Sequence, residues 1–323
     1  MNRWVLLILL ALPQLAHGAD LTDATGRQVH LPDRIARVLP AGPPAAVLLS
    51  ALAPDLMVGW PHSPSAAARA FLPDSLAALP AAPPVTGTPD ATDAIKASAP
   101  DLILDYGDAG SRNIQAAETT QRNTGIPTLL LDGKLTLIPA VLRALGDALH
   151  RTERADTLAR FAEALLAAPD PSSPRGTIVY ARGADFFAVA APGTGATEVF
   201  ALLGWKVLAP DGQGTFRPGR FEDIRALDPD FLVFADPAMR TIVGSEPWRS
   251  LRAVREHHVL IAPRLPFGWV EEPPSINRLA GLMWLGGIDA GTTGAIFNSV
   301  VYGRVLSRAQ IEAWRDGARP VQP

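Results

Sequence analysis

Residues 93–107 read DAIKASAPDLILDYG. Asp90 to Ser98 fits a helix with acidic residues in its first turn, where they complement the helix dipole. Pro100 stops it. Asp101 to Asp105 then forms a short apolar strand that runs into the turn-rich Tyr106-Gly-Asp-Ala-Gly110. Residues 221–236, FEDIRALDPDFLVFAD, repeat that order, with a helix over Phe221–Leu227 and a strand over Phe231–Ala235. A helix feeding a buried strand through a short turn is the unit of parallel α/β architecture.

Working outward from these two stretches, Asp23 to Gly26 reads as a hairpin turn. Strands follow at Ala36–Leu39, Leu56–Trp60 and Ile126–Leu131, with helices at Pro44–Leu52 and Ser111–Thr124. From 138 to 168 the period becomes helical: Ile138, Val141, Leu142, Leu145 and Leu149, then Leu158, Phe161, Leu165 and Leu166. A polar interruption lies near Arg151 to Glu153. Alternation then resumes with strands Thr177–Ala181, Phe186–Ala190 and His258–Ala262, and helices Thr197–Leu203 and Trp248–Val254. The expected fold is α/β: two Rossmann-like lobes with parallel sheets joined by a long rigid α-helix. The lobes span 20–137 and 171–323, and the linker helix spans 138–170. A tail helix at Ser307–Trp314, with Ser307 and Gln310 at capping-box spacing, is expected to pack on the second lobe.

The 323 residues exceed what one core usually organises, which fits two lobes. A net charge of −3 and the absence of a basic arm argue against nucleic acid. Residues 1–19, MNRWVLLILLALPQLAHGA, have the charge, apolar run and small-residue order of a cleaved secretory signal, with cleavage after Gly18 or Ala19. There is no cysteine, which excludes disulfides, thiolate metal sites, a cysteine nucleophile and a lipidated cysteine anchor. An exported chain of this kind is expected in the periplasm of a two-membrane bacterium.

In parallel α/β lobes ligands sit beyond the carboxyl ends of the strands. The loops there are rich in aromatic and charged residues. Trp60, His62, Tyr106, Arg182, Phe186, Arg217, Trp269 and Glu271 are the candidate ligand contacts. Trp269 lies in residues 266–287, PFGWVEEPPSINRLAGLMWLGG, between Gly268 and a proline pair, and is expected to face the ligand. Glu271 and Glu272 read either as ligand groups or as charges favouring the helix that begins at Pro274 or Ser275. His62 is the candidate metal ligand. No nucleophile elbow, P-loop or zinc-binding helix motif occurs, and the six histidines are scattered. No catalytic residue is assigned.

The segment at 266–287 resembles the periplasmic substrate-binding proteins of ABC importers for iron–siderophore, haem, cobalamin and related chelates. ARVLPAGPPAAVLLSALAPDLMVGWP (36–61) resembles that family's opening strand, helix and strand, and the stretches at 93–107 and 221–236 resemble its paired helix–Pro-Asp–strand elements. The resemblance covers residues 20–315. It implies a rigid interlobe helix, a shallow cleft that closes little, and no intrinsic cofactor. The bound ligand would be a metal chelate, with ferric siderophore first and haem, cobalamin or a nickel or cobalt chelate next. The partner would be the permease dimer of an importer, met by a monomeric binding protein. It also implies an acid on each lobe that docks on permease arginines; Glu222 and Asp93 stand at the matching positions, Asp93 being one methylene shorter than the usual glutamate. An exported enzyme with its active site in the cleft, and a ligand sensor or adaptor, are the alternatives.

Overall fold

The computed structural model describes residues 20–85, 91–169, 173–184 and 187–321. The expected signal segment and Phe186 lie outside the described residues. The chain opens with an antiparallel hairpin, β1 (Asp20–Thr22) and β2 (Gln28–His30). Arg27 closes its turn by pairing with Asp23 at 2.6 Å.

The first lobe holds a parallel sheet of β3 (Val38–Pro40), β4 (Leu102–Gly107) and β5 (Thr128–Asp132), in that order. Its helices are α1 (Pro43–Leu52), the short α2 (Ala66–Arg69) and α3 (Asp74–Ala77), α4 (Ala91–Ala97) and α5 (Ser111–Thr124). Eight of the ten α1 residues are buried, so this helix is a core element. The stretch around Leu56–Trp60, expected as a strand, contributes only isolated bridges, Val38 to Met57 and Trp60 to Ala81.

The connector is two helices, α6 (Ile138–Ala148) and α7 (Thr152–Ala167). The break falls at the polar interruption seen in the sequence. Gly146 permits the close crossing, since a Cβ there would lie 2.1 Å from that of Ala155.

In the second lobe β11 (Val259–Ile261), β10 (Phe231–Phe234), β6 (Thr177–Arg182) and β8 (Lys206–Val207) run parallel. An antiparallel extension, β7 (Ala188–Ala190) and β9 (Phe216–Pro218), makes the sheet mixed. Its helices are α8 (Glu198–Leu202), α9 (Phe221–Leu227), α10 (Met239–Ile242), α11 (Arg252–Arg255), α12 (Arg278–Leu285), α13 (Ala290–Tyr302) and α14 (Arg308–Gly317).

One apolar core runs through both lobes and includes Leu48, Leu104, Leu142, Leu158, Phe200, Trp269, Leu279 and Phe297. Buried and half-buried polar groups stitch the same seam. Arg154 on α7 donates to the carbonyls of Ala51, Val300 and Val301 at 3.0, 2.9 and 2.6 Å. Asn298 donates to the Phe71 carbonyl at 2.8 Å, and Ser275 to that of Pro44 at 2.8 Å. The tail helix α14 has the expected capping box at Ser307 and Gln310. Its packing differs from expectation. Trp314 lies 4.7 Å from Phe71 of the first lobe and 5.5 Å from Trp269 of the second, and Gln310 donates to the Ala70 carbonyl at 2.9 Å. The tail therefore straps both lobes rather than resting on one.

Candidate functional site

The carboxyl ends of β4 and β5 face the turn after β7 across the interlobe seam. Between them lies a cavity of about 510 Å³. The first lobe contributes Gly107, Asp108, Asp132, Gly133 and Lys134; the second contributes Gly193 to Ala196, Glu198, Thr215, Phe216, Glu271, Pro274 and Arg278. The walls mix glycine-rich backbone, the apolar Ala196, Phe216 and Pro274, and the charged Asp108, Lys134, Glu198 and Glu271. Gly133 donates to the Gly107 carbonyl at 2.7 Å, and a Cβ on Gly133 would sit 2.7 Å from the Gly107 Cα. The two glycines let adjacent strand ends close without filling the cleft.

The floor is built around Arg278, which is 0 % exposed. Its guanidinium pairs with Glu198 at 2.5 Å and donates to the Gly133 carbonyl, while Nε donates to the Ser275 carbonyl at 3.2 Å. Glu198 in turn accepts from the Leu135 amide at 2.9 Å. Gly133 and Leu135 belong to the first lobe, Glu198 and Arg278 to the second, so this pair clamps the lobes at the base of the cleft. Arginine suits the task because its rigid fork of donors serves several acceptors while remaining charged.

Glu271 forms the second-lobe wall. It is 4 % exposed, and the Tyr180 hydroxyl donates to its Oε1 at 3.2 Å. Arg182 stands 3.8 Å away with its guanidinium 3.7 Å above the Phe216 ring. Burial, reinforced by the neighbouring Glu272, pushes the Glu271 carboxyl up to about 7; Arg182, Tyr180 and Arg264 pull the other way. Burial and the nearby Glu271 hold the Tyr180 hydroxyl well above its usual range. Glu272 itself turns to Arg264 at 3.0 Å.

Several expected contacts prove to be core residues. Trp269 is 1 % exposed and packs among Trp284 and Trp314. Its amide bonds the Pro263 carbonyl, which folds the loop back and turns the indole inward. Trp60 is 2 % exposed, donates from Nε1 to the Leu76 carbonyl at 2.8 Å and packs on Phe267 of the second lobe. Tyr106 is buried beneath the cleft, and burial pushes its hydroxyl up to about 12 despite the nearby Arg278. These three aromatics are corrected from ligand contacts to packing groups. His62 is exposed and does not line the cavity, and Arg217 is tied to the Pro210 carbonyl at 2.5 Å away from it. Among the described residues no group of three or more His, Asp and Glu could hold a metal ion.

Glu271 lines the cavity, and Arg182 reaches it only through its approaches to Glu271, at 3.8 Å, and to the Phe216 ring, at 3.7 Å. Reading by residue missed Asp108, Lys134, Glu198, Phe216 and Arg278. The signal for the first is positional, since Asp108 lies in the turn-rich Tyr106–Gly110 stretch at the end of β4. Glu222 and Asp93 are exposed in the first turns of α9 and α4.

Two α/β lobes clamped about an interlobe cleft are the architecture of solute-binding proteins. The sequence profile described as "Periplasmic binding protein" matches residues 49–264, well over half of the chain. The chain belongs to that family of transport binding proteins. Among solved structures it is similar to an ABC transporter solute-binding protein from Sulfurospirillum deleyianum, at 23 % identity and TM-score 0.80, covering 92 % of this chain and 99 % of that one. It is also similar to a molybdate periplasmic binding protein from Haemophilus influenzae, at 14 % identity and TM-score 0.68, covering 90 % and 99 %. A third is an Fe3+-hydroxamate ABC-type transport protein from Saccharomonospora viridis, at 19 % identity and TM-score 0.58, covering 84 % and 98 %. A search of curated protein sequences gave no match. No helix among the described residues is long and apolar enough to cross a membrane.

Proposed function

We propose that this protein captures a ferric siderophore in the periplasm and delivers it to the permease of an ABC importer. The observation that carries the reading is the cavity between the strand ends of two clamped lobes, lined by both apolar and charged groups. Its volume of about 510 Å³ falls in the range of small-molecule sites. Neither His nor Tyr is among its lining residues, so it offers no usual axial ligand for haem iron. A chelate that already satisfies its metal needs only polar contacts to its periphery, and the cleft supplies these. The exposed acids Glu222 and Asp93 crown the two lobes and serve as docking charges for permease arginines; a monomer presenting both is the delivering species. The importer, not this chain, supplies the energy.

Native mass spectrometry of residues 20–323 with ferric tris-hydroxamates, ferric tris-catecholates, haemin and cobalamin tests the reading. A one-to-one complex with a ferric siderophore is expected. Retention of haemin or cobalamin alone would overturn it.

A further inference from the structure

Arg182 is placed between two side chains that line the cleft. Its guanidinium lies 3.7 Å above the Phe216 ring and 3.8 Å from Glu271 Oε1, about 1 Å beyond a charge-assisted hydrogen bond. Among the described residues it makes no hydrogen bond, and its side chain is 44 % exposed. The Phe216 backbone is fixed, since β9 pairs it with Ala190 of β7. The Glu271 carboxyl has a fixed partner in the Tyr180 hydroxyl, at 3.2 Å. The charged groups around it have partners of their own. Glu272 and Arg264, on the same loop, pair at 3.0 Å. Elsewhere on the cavity wall Arg278 holds Glu198 at 2.5 Å and Lys134 holds Asp132 at 3.2 Å, while Asp108 is exposed. Tyr180 stays protonated, its hydroxyl held well above its usual range. Glu271, pushed up to about 7 chiefly by burial, changes charge near neutral pH.

We infer that a proton on Glu271 sets the wall of the cleft and so its affinity. With the carboxyl neutral, Arg182 rests on Phe216 and holds that ring against the cavity; with it ionised, Arg182 swings onto the carboxylate and releases the ring. The two contacts differ in strength. A cation over an aromatic ring is worth less than a charge-assisted arginine–carboxylate hydrogen bond, and a neutral carboxyl competes poorly for the guanidinium. The observed spacing, with the arginine stacked and Glu271 out of hydrogen-bond reach, is that of the neutral carboxyl. Arg182 is thus a positioning residue for Phe216. A ligand seated in the cavity covers Glu271 further, which favours the uncharged form. Binding therefore takes up a proton. Affinity is full below about pH 7 and falls as pH rises beyond it, by up to about tenfold per pH unit. The consequence for binding rests on the ferric-siderophore reading above; the switch in the free protein does not.

Two measurements on residues 20–323 test this. In ligand-free protein, NMR titration from about pH 5 to about pH 9 should show the Phe216 ring and Arg182 Nε resonances moving with the same midpoint as the Glu271 carboxyl. Glu271→Gln should freeze both. Arg182→Met should freeze the Phe216 ring while Glu271 still titrates, at higher pH because the opposing cation is gone. A merely structural arginine would not separate the two responses. A Phe216 ring that ignores pH in the wild-type protein would overturn the inference, whatever the variants do. For binding, the probe is ferrichrome, a neutral ferric tris-hydroxamate. Titration calorimetry should give wild-type affinity at least about threefold weaker at about pH 8.5 than at about pH 6, with net proton uptake, and no such change in Glu271→Gln. Ferrichrome affinity that does not change with pH would overturn the inference and leave the siderophore reading standing. Binding of no ferric chelate would sink that reading instead, and the ligand-free titration would still decide the switch.

Discussion

Glu271 shows how one carboxyl can be legible in position and illegible in role. Its folded-state value near 7 stands above the ordinary 4.5 because burial penalises the charged form. The folded protein therefore keeps a proton that the unfolded chain releases. Stability from this group is fully present below about pH 4.5, is lost as pH rises toward about 7, and is flat above that. Glu271→Gln keeps an acceptor for Tyr180 and cannot ionise. Relative to wild type it should gain up to about 3 kcal/mol between about pH 5 and about pH 8. Thermal melts of both proteins across that range read the effect, and a difference that does not widen with pH refutes the raised value. From sequence, Glu271 had a competing reading as a charge favouring a helix starting at Pro274 or Ser275, but α12 begins only at Arg278 and Glu271 is buried against Tyr180. Tyr106 was misread for a different reason. Strands of a parallel sheet are buried on both faces, so alternation does not say which side chain meets ligand.

At the level of the element, α12 and the loop before it act as one unit. Gly268 donates to the Glu272 carbonyl at 2.7 Å, and Asn277 donates to the carbonyls of Gly268 and Pro273. The loop then lies so close on α12 that a Cβ at Gly281 would stand 2.3 Å from the Trp269 carbonyl oxygen. Gly281→Ala gains about 1 kcal/mol of helix propensity. Against it stands a clash with backbone that cannot swing aside, of about 1–3 kcal/mol or more. The melting temperature should fall by several degrees, whereas Gly317→Ala, at the end of α14 with nothing within 4 Å of the added methyl, should hold or slightly raise it. Equal melts for the two variants would refute the close contact. The helices were legible because their apolar spacing is long and regular, as in α6 and α7. The strand β9 was less so: it has three residues and emerges from the Gly- and Pro-rich segment 209–219. Phe216 in the cleft was lost with it.

For the whole molecule the decisive feature is how many independent ties cross the seam. The two-lobe plan was readable from alternating elements, but the ties were not, because each joins residues far apart in sequence. Arg278 is the most deeply placed. Arg278→Met preserves bulk but leaves Glu198 and the carbonyls of Gly133, Gly195 and Ser275 without this donor. Breaking one side of such a buried pair costs about 3–5 kcal/mol. The Leu135 amide, held by Glu198 at 2.9 Å, should exchange with solvent faster in that variant. Unchanged exchange there would show that the clamp does not govern the seam.

A cleft with fixed jaws is a caliper. A hinged protein folds around cargoes of different girth; one whose halves share a core, a buried arginine clamp and a helical strap offers a single gauge. Its cross-reactivity should follow the outer dimensions of the cargo. Emptying it becomes mechanical work: the span that admits the cargo also retains it until the membrane machinery levers the halves apart.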